Sequence, residues 1–163
     1  MRRIVGLAGV GGLLVIAIVV AATGAASGSD GHGHGRGHDN GKGKTIRVVE
    51  RATTDTSVDL GATGDSIGDL LAFGNELFDE GNQIKVGTDQ GSCVRTVPGK
   101  AYECTWTNSL AKGQITVQGP FLDSGDSVLA ITGGTGAYRK ARGTMNLHAR
   151  SATEFDFTFH LSK

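Results

Sequence analysis

The chain carries no excess charge of either sign, with 16 lysines and arginines against 16 aspartates and glutamates. Arg2 and Arg3 belong to an N-terminal leader, and without them 14 basic residues face 16 acidic ones, a net charge near −2. That leaves no basic field for nucleic acid, which is excluded as a partner. Long apolar runs are missing beyond Ile4 to Ala22, so contact with a membrane could come only from that segment, and only if it stays attached. Cysteine is limited to Cys93 and Cys104. No stretch is unambiguously helical, and 163 residues, less a leader and a linker, hold about one domain.

What is present begins with the leader. Residues 1–26 place Arg2 and Arg3 before the apolar run and end it with Thr23-Gly24-Ala25-Ala26, the three-part pattern of a secretory signal cleaved after Ala25 or Ala26. An uncleaved single-span anchor is the alternative, and in either case the remainder is secreted or extracytoplasmic. Residues 27–44, SGSDGHGHGRGHDNGKGK, have no apolar face to offset the entropy of ordering them and read as a disordered tether. His32, His34 and His38 in this tract are weak metal-ligand candidates, because nothing rigid closes a site around them. In an oxidising compartment Cys93 and Cys104 are expected to join, with two separate thiols as the alternative.

From residue 45 onward short alternating runs predominate. Thr45 to Thr53 reads as a first strand, and Asp55 to Ser66 as a polar loop. In Asp69 to Asp79, Leu71, Phe73, Asn75 and Leu77 share one face at strand spacing, while Leu70, Phe73, Leu77 and Phe78 also fit a helix. Gln83 to Thr88 follows a turn at residues 79–82. The runs 91–94 and 101–107 then flank Pro98-Gly99, so a bond between Cys93 and Cys104 would staple a hairpin. On the second of these strands Tyr102, Cys104, Trp106 and Asn108 form the bulkier, inward face, leaving Glu103 outward.

Ile115 to Gln118 and Ser127 to Thr132 are two more strands, bounded by a corner at Gly119-Pro120 and a turn at Gly133-Gly134-Thr135-Gly136. Thr144 to Arg150 adds another. In Glu154 to Leu161, Phe155, Phe157, Phe159 and Leu161 alternate with polar residues. About eight short strands predict an all-β fold, an eight-stranded antiparallel barrel with room inside for side chains or one small ligand.

Two chemical motifs fail on context. Gly64-Asp65-Ser66-Ile67-Gly68 matches a hydrolase nucleophile elbow but lies in a loop of an all-β chain. Gly133 to Gly136 lacks the Gly-Lys-Ser/Thr and the helix of a phosphate cradle. His148 and His160 are expected on outer faces, and Arg139, Lys140 and Arg142 on a solvated rim.

Gly113-Gln114-Ile115-Thr116-Val117-Gln118-Gly119-Pro120-Phe121, followed by Leu129 to Gly136, resembles the core signature of the plant allene oxide cyclases. Gly133 to Gly143 resembles the dirigent proteins equally well. Gly68 to Phe78 and Val86 to Cys93 extend the cyclase likeness, so that it spans residues 46 to 162. The resemblance decides for strand over helix at 69–79, and it implies the cyclase and dirigent barrel, no cofactor, and a possible homo-oligomer, trimer or dimer. It places a pocket asparagine at Asn75 and a pocket cysteine at Cys93. It sets the family's first-strand acid near Arg47 and the neighbouring amide near Val49, with no counterpart of its Ser-Pro pair around Asp55 and Thr56.

Two functions follow as expectations. One is an exported barrel that binds a small apolar molecule in a nearly acid-free hollow lined by Phe73, Asn75, Tyr102 and Trp106, together with Phe155, Phe157 and Phe159. The other is a cofactor-independent cyclase, isomerase or stereo-directing protein acting on a secondary metabolite, with Asn75 orienting the substrate and Glu50 or Glu103 moving a proton. A buried acid within reach of Asn75 separates the second from the first.

Overall fold

The computed structural model describes residues 43–162. The leader at 1–26, the tether before Gly43, and His32, His34 and His38 lie outside the described residues.

Ten strands follow one another: β1 (Lys44–Arg51), β2 (Thr56–Val58), β3 (Leu70–Phe73), β4 (Glu76–Phe78), β5 (Lys85–Val97), β6 (Ala101–Leu110), β7 (Gly113–Leu122), β8 (Ser127–Gly134), β9 (Gly143–Ala149) and β10 (Glu154–Leu161). They hydrogen-bond in the order β2-β3-β5-β4-β1-β10-β9-β8-β7-β6, and β5 also pairs with β6. That last pairing returns the sheet to itself. Because β3 and β4 both lie along β5, they form one interrupted wall strand, and β2 is a flap on β3. The result is a closed antiparallel barrel of eight walls. Register shifts at Leu77/Phe78, Arg95/Val97 and Thr116/Val117 add the local twist that closure needs.

Alternation decides which residues fill the interior. On β1, Ile46, Val48 and Glu50 face the lumen. On β6, Cys104, Trp106 and Asn108 are buried, and on β10, Phe157 and Phe159 are buried. Gly91 on β5 is required by this packing: a Cβ there would collide with the Cβ and Cα of Trp106, its partner in register. The Cβ and Cα of Trp106 and the carbonyl of Thr105 take the room that glycine leaves.

Several segments differ from the sequence reading. The stretch 69–79 is strand and not helix, as the resemblance implied, but it breaks at Gly74-Asn75 into β3 and β4. The loop from Asp55 to Ser66 contains β2. The separate runs at 83–88 and 91–94 are one strand of 13 residues. Gly119-Pro120 is no corner, since β7 continues to Leu122 on β6 and parts from β8 after Gln118, which leaves the proline on an open edge. Gly119 takes φ 148° there, with Leu129 packed where a Cβ would point. A single 3-10 turn, Gly136–Tyr138, follows the glycine run.

Candidate functional site

Asn75 sits at the break between β3 and β4, and its side chain is the hub of a buried polar cluster. Its Oδ1 accepts from the backbone N–H groups of Thr53 and Thr54 and from Thr54 Oγ1, each at 3.0 Å. Three donors on one oxygen fix the amide's orientation. Its Nδ2 therefore points at carboxylates, donating to Glu50 Oε1 at 2.9 Å and Asp55 Oδ1 at 2.7 Å. The backbone of Asn75 exchanges two bonds with β5: its N–H donates to Asp89 Oδ1 at 3.1 Å, and its carbonyl accepts from the Asp89 N–H at 3.0 Å.

Glu50 and Asp89 are both buried, 6% and 2% exposed, with their carboxyl groups adjacent. Asp89 Oδ2 has no N–H or O–H donor from any other described residue. Two carboxyl groups meet in this way only when a proton stands between them. Burial is the chief cause that pushes Glu50 up to about 9, with the negative charge of Asp89 adding to it and the Asn75 hydrogen bond opposing it. Burial also raises Asp89, to about 6, against the hydrogen bonds from Glu50 and the Asn75 backbone. At neutral pH the pair as a unit holds a proton.

Above the cluster lies a cavity of about 30 Å³, lined by Glu50, Asp55, the Cys93 and Cys104 pair, Trp106 and Phe157, with half-buried Leu71, Phe73, Phe121 and Phe155 towards its mouth. Aromatic rings line it from mouth to interior: Phe121 to Phe155 at 6.1 Å, Phe73 to Trp106 at 5.9 Å and Trp106 to Phe157 at 5.7 Å between centroids. Cys93 and Cys104, opposite each other on β5 and β6, form a disulfide that makes part of this wall.

The residues singled out from the sequence divide accordingly. Phe73, Trp106, Phe155 and Phe157 line the cavity, and Asn75 stands behind it holding Glu50 and Asp55. Phe159 is deeper, against Phe157 at 6.4 Å. Tyr102 is engaged elsewhere, its ring stacked 3.6 Å from the guanidinium of Arg95, which in turn meets Asp65 and Asp123 at 2.6 Å. Glu103 is exposed on the outer face, so of the two candidate acids only Glu50 reaches Asn75. Arg47, where the resemblance set the first-strand acid, is outside, beside Glu80, and the acid on the lumen face of this strand is Glu50. The expectation of a nearly acid-free hollow is overturned by Glu50 and Asp89. His148 and His160 are on the outside, His148 Nδ1 lying 2.7 Å from Asp126, and Arg139, Lys140 and Arg142 are exposed. Among the described residues no three His, Cys, Asp or Glu side chains are grouped to hold a metal ion.

Residues 46–162 match the family model described as allene oxide cyclase. The chain belongs to the allene oxide cyclase family. Solved structures show how widely the barrel of this family is shared. A pyocyanin demethylase is 24% identical and superposes with a TM-score of 0.66 over 73% of this chain and 100% of its own. The exo-specific intermolecular Diels-Alderase AbnU gives 0.59 at 13% identity, covering 74% of this chain and 98% of its own. The pterocarpan synthase dirigent protein PsPTS1 gives 0.56 at 18%, covering 75% and 99%. At these identities the likeness is one of fold, and the allene oxide cyclase barrel is the frame on which the acid pair of this chain is placed.

Proposed function

We propose that this chain is a cofactor-independent cyclase or isomerase of the exported type, acting on a small, mostly apolar molecule bound at the cavity mouth, with Glu50 as the proton donor. The observation that carries the reading is the buried Glu50, set beside a second buried carboxyl, hydrogen-bonded to Asn75 and facing an aromatic cavity. An acid held neutral in an apolar wall gives its proton to an oxygen or carbon that gains electron density in the transition state, and takes it back when the product forms. Asn75 Nδ2 stabilises the charge left on Glu50 and holds that carboxyl within the fraction of an ångström that proton transfer demands, while the negative charge of Asp89 favours the proton's return. The cavity of about 30 Å³ admits little more than a water molecule. Binding a substrate therefore requires the half-buried rings of Phe73, Phe121 and Phe155 to swing outward. The disulfide suits an oxidising, extracellular setting.

The chemistry attached to the names of the structural neighbours supplies a test panel: an allene oxide generated in place, a diene with a dienophile, a quinone methide precursor, and an N-methylphenazine. Conversion above background, or an enantiomeric excess, is expected with at least one member. It should fall about 100-fold or more in Glu50→Gln while tryptophan fluorescence still reports binding. Binding that survives with no turnover by either protein would reduce the chain to a ligand-binding barrel. Turnover unchanged in Glu50→Gln would remove Glu50 from the chemistry.

A further inference from the structure

The cavity wall contains a donor that the protein itself leaves unused. Trp106 Nε1 is completely buried and has no acceptor among the described residues. The indole projects into the lumen from β6. The Cβ of Trp106 packs where a side chain of Gly91 would stand, and the rings of Phe73 and Phe157 pack against the indole. A fixed indole has little freedom to turn its N–H elsewhere, and buried indole N–H groups ordinarily find a partner. The same cavity presents Glu50 and Asp55 as its acidic lining residues. Trp106 and Glu50 thus border one apolar, aromatic-walled space, from which the unpaired N–H stays closed off until the half-buried rings move.

We infer that the molecule this site takes is flat, mostly apolar and bears an in-plane acceptor, a carbonyl oxygen or ring nitrogen, which accepts a hydrogen bond from Trp106 Nε1. This rests on the proposed use of the cavity and narrows its substrate class. A pure hydrocarbon of the same shape leaves the indole unpaired, so the wall discriminates by that one bond. The arrangement selects flat ketones, quinones and aza-aromatics over simple olefins and saturated chains.

Trp106 is the one tryptophan of the chain, so the full-length protein gives a single side-chain indole N–H signal and a single tryptophan emission. The test titrates 1-indanone and indane, a ketone and a hydrocarbon of nearly one shape, into the wild type and into Trp106→Phe. The wild type is expected to bind 1-indanone about tenfold better than indane, relative to their water-to-alkane partition. The indole N–H signal is expected to move downfield with the ketone alone. In Trp106→Phe the ketone's advantage disappears, and the wild-type spectrum gives the answer independently if that variant does not fold. If both compounds bind equally and the indole signal does not move downfield with the ketone, this inference is wrong while the cavity remains a ligand site. If neither binds, the inference and the proposed use of the cavity fall together.

Discussion

At the scale of single residues, the pair Glu50 and Asp89 makes stability depend on pH. Both carboxyls take up protons more readily in the folded chain than in the unfolded one, because burial disfavours their charge. The stabilisation this pair supplies is thus fully present below the ordinary glutamate value of 4.5 and drains away as pH rises towards about 9. The midpoint of thermal unfolding of the wild type is expected to fall across that window, and Glu50→Gln to remove the larger part of the fall. A Glu50→Gln profile parallel to that of the wild type would contradict the shared proton. Glu50 was legible in the sequence, alternating with Ile46 and Val48 on one strand face. An offset of three residues moves a side chain to the opposite face, so Arg47 lies outside the barrel where Glu50 lies within. Asp89 was not legible. It lies between two runs that read as separate strands, and its inward neighbours Gly87, Gly91 and Cys93 give no strong apolar alternation to reveal the face they share.

Elements show the same division. The faces of β6 and β10 could be read directly, since Cys104, Trp106 and Asn108 on one and Phe157 and Phe159 on the other stand in strict alternation. β5 could not, because its lumen side is kept small to make room for the side chains of β6. That dependence has a measurable consequence. Gly91→Ala places a methyl group on the Trp106 backbone and is expected to cost about 1–3 kcal/mol, with a changed tryptophan emission. Gly81→Ala, where a Cβ meets nothing closer than 3.8 Å, is expected to change stability by less than about 0.5 kcal/mol. Equal effects in chemical denaturation would show that the indole is not seated as described. The break between β3 and β4 was hidden for a different reason. Asn75 keeps the strand's alternation while its side chain bonds to Thr53, Thr54, Glu50 and Asp55, and long-range hydrogen bonds of this kind leave no mark in periodicity.

For the whole molecule, eight walls and their closure were readable from strand number and turn spacing, and the seam was not, since closure between β5 and β6 depends on twist accumulated around the entire sheet. The pairing of β1 with β10 also fixes where the described residues begin and end. Lys44 is opposite Leu161 in register, whereas Glu50 is opposite Phe155 at the other end of the same strand pair. The described chain therefore starts and finishes at the rim away from the cavity. Full-length protein immobilised through its N-terminus is expected to bind test compounds within about twofold of protein free in solution, measured by surface plasmon resonance against fluorescence titration. A large loss on immobilisation would mean that the mouth is at the attached end. If it is not, such a barrel works like a cup fixed by its base: anchored to a cell envelope, a bead or a fused partner, it keeps its opening towards whatever diffuses past.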